Sequence, residues 1–84
     1  MTNILVNFKK GFAMPLYNCL QEKRKEHKYN QADLGALVGV SRQTISLIER
    51  GDYHPSIVVC LRLAQVLDCQ VEDLFTYKED ENHD

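Results

Sequence analysis

Residues 30–51, NQADLGALVGVSRQTISLIERG, limit the fold more than any other stretch of this chain: two helix-forming runs are broken by Gly39-Val40-Ser41. A single long helix gains nothing from an interior glycine, which costs up to about 1 kcal/mol against alanine, and an ordinary loop is longer and more polar. The spacing instead predicts two short helices that meet at a tight turn. Asn30 is placed to cap the first, and Asp33 completes a capping box and suits the positive end of the helix dipole. Gly39 closes that helix in the left-handed conformation. Ser41 caps the second, which runs through Arg50 until Gly51 ends it in the same way. Leu34, Leu37 and Val38 are expected inside from the first helix and Ile45 and Ile48 from the second, with Val40 as an apolar plug beneath the turn.

The remaining apolar positions arrange themselves around this pair. Leu16, Leu20, Arg24 and His27 fall on one helical stripe, flanked by Lys23, Lys25 and Lys28, and predict a helix ending near His27 or Lys28. Pro55-Ser56 opens a fourth helix with inward positions 57, 60, 61, 64 and 67. Val71, Leu74 and Phe75 make a short last one, and FTYK is able to continue as a short strand. The expectation is an all-α, five-helix domain over residues 15–77. An N-terminal extension over 1–14 precedes it and an acidic, solvated tail over 78–84 follows. Two readings of the extension stay open: a dispensable stretch ahead of a start at Met14, or an arm whose Lys9-Lys10 touch a polyanion.

A chain of 84 residues buries only roughly 60–65% of its unfolded surface, which leaves little room for a large cleft. It has no apolar run of membrane-spanning length, and ILVNF is too short for a secretory signal, so no membrane is expected and the cytoplasm is. Cys19, Cys60 and Cys69 form no CxxC pair, and His27, His54 and His83 stand at no ligand-like spacing from them. Small buried thiols are therefore expected, with no metal or cofactor, and a redox or metal sensor is the minor alternative. No Ser/His or Cys/His constellation and no phosphate-cradling glycine loop supports an enzyme.

The net charge of −2 hides an asymmetry. Residues 1–62 hold nine Lys/Arg and five Asp/Glu, a balance of +4, whereas residues 63–84 hold one Lys and seven Asp/Glu, a balance of −6. A basic body with an acidic end suits a protein that turns one face to a polyanion. Two helices joined by a tight glycine turn form the unit in which the first helix braces the second in the major groove of DNA. With Ile45 and Ile48 inward, Arg42, Gln43, Ser46 and Leu47 form the opposite face. Arg pairs with guanine O6/N7, Gln with adenine N6/N7, and an apolar side chain meets the thymine methyl.

At these residues the chain resembles the phage-repressor/Cro-like (Xre-type, lambda-repressor-like) helix-turn-helix regulators. The similarity covers residues 16 to about 76, through the quoted stretch, HPS, and LRLAQVLDCQVEDLF. It implies a homodimer that binds double-stranded operator DNA and regulates transcription, most simply as a repressor. It also implies that Asn30 and Gln31 grip phosphates and that Arg42, Gln43 and Leu47 face bases; Thr44, Arg50 and the Tyr53-His54 loop are assigned to phosphates with them. Arg24 and Glu49 are implied to pair and tie the first helix to the third. The chain departs from the family pattern at Gly35, where relatives mostly have Ala, at Lys23, where many have an aliphatic residue, and at Leu47, where a polar side chain is common. A dimer is expected through Val71, Leu74, Phe75 and Tyr77, with the stretch after Phe75 pairing as a strand across the dimer or against Leu16-Tyr17. The competing reading closes the monomer core with Leu74 and Phe75. An antitoxin or other protein-binding module that also binds DNA, with an acidic tail that folds on its protein partner, is the rival function.

Overall fold

The computed structural model describes residues 16–78. The expected extension, with Lys9-Lys10 and Met14, and the acidic residues 79–84 lie outside the described residues. Along the chain run β1 (Leu16–Asn18), α1 (Leu20–Glu26), α2 (Gln31–Val38), α3 (Arg42–Arg50), α4 (Ile57–Val66), α5 (Val71–Leu74) and β2 (Phe75–Tyr77). The caps form as the residues dictate. Asn30 Oδ1 accepts from the Asp33 backbone N–H at 2.7 Å while Asp33 Oδ2 accepts from the Asn30 N–H at 3.0 Å, and Ser41 and Ser56 accept from the Thr44 and Val59 N–H groups. Gly39 and Gly51 take φ of 83° and 80°, left-handed values that a Cβ would disfavour.

The core joins all five helices through Leu20, Leu34, Val38, Ile45, Ile48, Leu63, Ala64, Leu67 and Leu74, with Val40 packed against it from the turn. Gly35 explains the tightness of the α2–α3 corner. An alanine Cβ there would stand 2.6 Å from the Val40 carbonyl oxygen and 3.2 Å from Ser41 backbone atoms, so the chain leaving the turn lies directly on α2.

Four expectations are corrected. Leu16 is in a strand and not on the helical stripe: it pairs antiparallel with Tyr77, as Tyr17 does with Thr76 and Asn18 with Phe75, which is the pairing against Leu16-Tyr17 that the resemblance offered as one alternative. The first helix accordingly starts only at Leu20, and His27 is exposed at its end. Leu37 is 51% exposed, because the corner packs on Gly35 and turns the inward stripe of α2 to Leu34, Gly35 and Val38. In α4 the inward side is formed by Leu63 and Ala64, with Val59 and Val66 packed beside them and Leu67 following at the helix end, which leaves Ile57 and Leu61 at 67% and 56% exposure. Leu74, expected at a dimer interface, is 1% exposed and closes the core of its own chain, with Val71 and Phe75 packed half-buried against the same cluster. Tyr77 alone of that set is exposed.

Candidate nucleic-acid interface

The candidate site is built on α3. Ile45 and Ile48 sink into the core, which fixes the helix's rotation and turns Arg42 and Gln43 fully outward, with Ser46 and Leu47 half-buried beside them. Leu47 is not among the apolar side chains packed on the core and is partly exposed, so part of its apolar surface is open to a contact. Thr44 is half-buried, with its hydroxyl 3.0 Å from that of Ser41. At the far end of α3, Arg50 is exposed and pairs with Asp52 at 3.2 Å, and Tyr53 and His54 are exposed in the loop that follows.

Three side chains from outside α3 hold its C-terminal half. Arg24, buried in α1, donates from Nε to Glu49 Oε2 at 2.6 Å and from Nη2 to Glu49 Oε1 at 3.2 Å. Its Nη1 donates to the Tyr29 carbonyl at 3.0 Å, which also fixes the turn into α2. Gln31, at the first position of α2, donates from Nε2 to Glu49 Oε1 at 3.0 Å. One carboxylate thus ties together α1, α2 and α3. A bidentate, charge-assisted pair of this kind holds an orientation as well as supplying energy. Gln31, assigned to a phosphate from the resemblance, is therefore held by a hydrogen bond to α3, and its second amide hydrogen is left over for a ligand.

The third is Asn18, which the sequence analysis did not single out. Its Nδ2 donates to the Ile48 carbonyl at 3.0 Å and its Oδ1 accepts from the Leu20 N–H at 3.0 Å, so it satisfies the first N–H of α1 and holds α3 at once. No local pattern marks Asn18, because it falls inside the 16–27 stripe and its partner Ile48 is 30 positions away. Arg62 was also passed over; its Nη1 donates to the Val38 carbonyl at 3.2 Å and satisfies a carbonyl at the C-terminal end of α2.

Among the described residues no group of three His, Cys, Asp or Glu is placed to hold a metal ion, and no helix is long and apolar enough to cross a membrane. Cys19, Cys60 and Cys69 are free thiols. Burial pushes the pKa of Cys60 up, and burial is also the largest influence raising that of Cys69.

A braced helix that displays an Arg-Gln pair after a tight left-handed turn defines a helix-turn-helix DNA-binding domain. The helix-turn-helix family model matches residues 20–74. The chain is 42% identical over 63 residues to the HTH-type transcriptional regulator YgzD of Bacillus subtilis, covering 75% of this chain and 96% of that one. The P22 c2 repressor, solved in complex with a synthetic operator, superposes with a TM-score of 0.62 at 38% identity over 63% of this chain and 80% of that one. SinR, solved in its complex with SinI, gives 0.61 at 34% identity over 76% and 59%. The chain belongs to the Xre-type, lambda-repressor-like family of helix-turn-helix transcriptional regulators.

Proposed function

We propose that this protein is a sequence-specific repressor that reads an inverted-repeat operator as a homodimer, with one α3 in each of two major grooves. Arg42, Gln43, Ser46 and Leu47 read base edges, while Asn30, Gln31, Thr44, Arg50, Tyr53 and His54 hold phosphates. The observation that carries this is the rigid seating of α3: its inner face is locked by Ile45, Ile48 and the Arg24–Glu49–Gln31 network, while the residue types with base-pairing chemistry face solvent. A pre-positioned helix loses little freedom on binding, and phosphate contacts around it set its register. Selection of bound sequences from random duplexes at one fixed salt concentration tests the proposal. It is expected to enrich one motif with two-fold symmetry; a pool that stays random would reject sequence-specific reading.

A second reading, a DNA-binding module that also takes a protein partner, draws support from SinR, whose structure was solved with SinI. Co-purification of an unrelated small protein at fixed stoichiometry favours it, and full sequence-specific binding by the chain alone favours the stand-alone regulator.

A further inference from the structure

We propose that Asn18 is a positioning residue for base reading, which fixes the tilt of α3 by tying the recognition helix to the terminal β-sheet. The inference rests on the DNA-reading role proposed above and concerns its selectivity. Asn18 ends β1, and asparagine is among the residues that strands disfavour, so fit to the pleat does not account for it there. Its side chain instead reaches two other elements: Nδ2 donates to the Ile48 carbonyl of α3 and Oδ1 accepts from the Leu20 N–H of α1, both at 3.0 Å. The backbone that carries this side chain is fixed from elsewhere. Asn18 is the cross-strand partner of Phe75, and at the next residue the Cys19 N–H donates to the Leu74 carbonyl and the Cys19 thiol to the Asp73 carbonyl, both at 3.0 Å. Asn18 is thus anchored by β2 and α5, and not by the helix it holds.

The bond to Ile48 is not needed to satisfy a stranded carbonyl. The same oxygen accepts the Gly51 N–H at 3.0 Å where α3 closes, so it keeps a partner when the asparagine donor is removed. What is lost is direction. Ile45 and Ile48 seat the inner face of α3, and Arg24 and Gln31 hold the Glu49 side chain, whereas Asn18 grips the backbone of the last turn. With nine residues, α3 is about 13 Å long, so a tilt released at Ile48 displaces Arg42 and Gln43, at the opposite end, the furthest. Bidentate contacts to base edges tolerate little displacement, because two donors or acceptors must be met at once. Long side chains on phosphates, such as Arg50, follow their target and carry no sequence information. Loss of the Asn18–Ile48 bond therefore lowers discrimination between sequences more than it lowers binding to DNA as such.

The test compares the full native chain with Asn18→Ser, Asn18→Leu and Val71→Ala. Serine keeps a hydroxyl for the Leu20 N–H, as in an ST-turn, but ends one bond short of the amide nitrogen that reaches Ile48. Leucine keeps the volume and removes both bonds. Val71→Ala trims packing against the core from α5 and controls for plain loss of stability. Dissociation constants are measured on the selected duplex and on a random duplex at equal salt, together with melting temperatures. Native-state hydrogen exchange at the Gly51 amide, which closes α3, is measured relative to the Gly39 amide, which closes α2. Both Asn18 variants are expected to bind the selected duplex at least about tenfold more weakly, to stay within about twofold of the native chain on the random duplex, and to exchange Gly51 at least about tenfold faster relative to Gly39. Val71→Ala is expected to melt lower while keeping the native ratio of the two affinities. An unchanged ratio in either Asn18 variant, or an equal fall of the ratio in Val71→Ala, would overturn the proposal. If the native chain bound both duplexes equally, base reading itself would fail, and exchange would still decide the hold on α3: faster relative exchange of Gly51 in both Asn18 variants supports it, and unchanged exchange overturns it.

Discussion

Removing Glu49 is the sharpest perturbation of the scaffold behind the recognition helix. The Arg24 and Glu49 side chains are 8% and 5% exposed and joined by two hydrogen bonds. Glu49→Ala therefore leaves a guanidinium in the protein interior with its carboxylate gone and only the Tyr29 carbonyl as partner. Breaking a buried pair from one side costs about 3–5 kcal/mol, a large part of the roughly 5–15 kcal/mol that holds a small domain folded. At about 4–8 °C per kcal/mol for a domain of this size, the melting temperature should fall by at least about 12 °C. Arg50–Asp52 is the internal control: its side chains are 59% and 60% exposed, and pairs of that kind contribute about 0–1 kcal/mol. Urea titrations followed by circular dichroism on Arg24→Met, Glu49→Leu and the double variant complete a cycle. The double change should cost about 1–3 kcal/mol less than the two singles added together, because it removes both charges at once. A Glu49→Ala loss no greater than that of Asp52→Ala, or strictly additive singles, would refute the reasoning.

Gly35→Ala should destabilise the fold: the helix-propensity gain of about 1 kcal/mol is outweighed by a Cβ 2.6 Å from the Val40 carbonyl oxygen, overpacking that costs about 1–3 kcal/mol, and a chemical-denaturation midpoint that rises would show the corner to be slack. Log affinity for duplex DNA should fall linearly with log salt at roughly −0.9 per phosphate neutralised, and Arg50→Ala should flatten that slope by about 1 on cognate and random duplexes alike; an unchanged slope removes Arg50 from the phosphate contacts. Burial raises the pKa of Cys60 above an ordinary 9.0. This contribution favours the folded state below that pH and is lost as pH rises through the folded pKa, so alkylation of Cys60 at pH near 8 should be slower in the native protein than in the urea-unfolded chain, and equal rates would contradict the burial.

The helix-turn-helix unit was legible because its signals are local. Asn30 with Asp33, Gly39, Ser41 and Gly51 each act within three or four residues, and the α2 and α3 boundaries match them. The rotation of helices was less legible, since it depends on what lies across the interface. Leu37 looked inward by spacing, yet Gly35 admits the turn so closely that the stripe swings away from Leu37. Ile57 and Leu61 were lost from the inward stripe of α4 for the same kind of reason. Leu16 was read as helical because a three-residue strand shows no period of its own and is defined only by its partner at Tyr77. The outward placement of Arg42 and Gln43 followed from Ile45 and Ile48 alone. The Gln31–Glu49 hydrogen bond and the role of Asn18 link residues 18 and 30 positions apart and have no sequence signature.

The central claim, that the outer face of α3 reads bases while the start of α2 holds the backbone, is tested most directly by equilibrium binding of three variants to the selected duplex and to a random duplex at equal salt. Arg42→Ala and Gln43→Ala should each lose about 1–3 kcal/mol on the selected site and far less on random DNA, with melting temperatures unchanged because both side chains are exposed. Gln31→Ala should weaken both duplexes alike. Equal losses on the two duplexes for Arg42→Ala and Gln43→Ala would contradict base reading by this face.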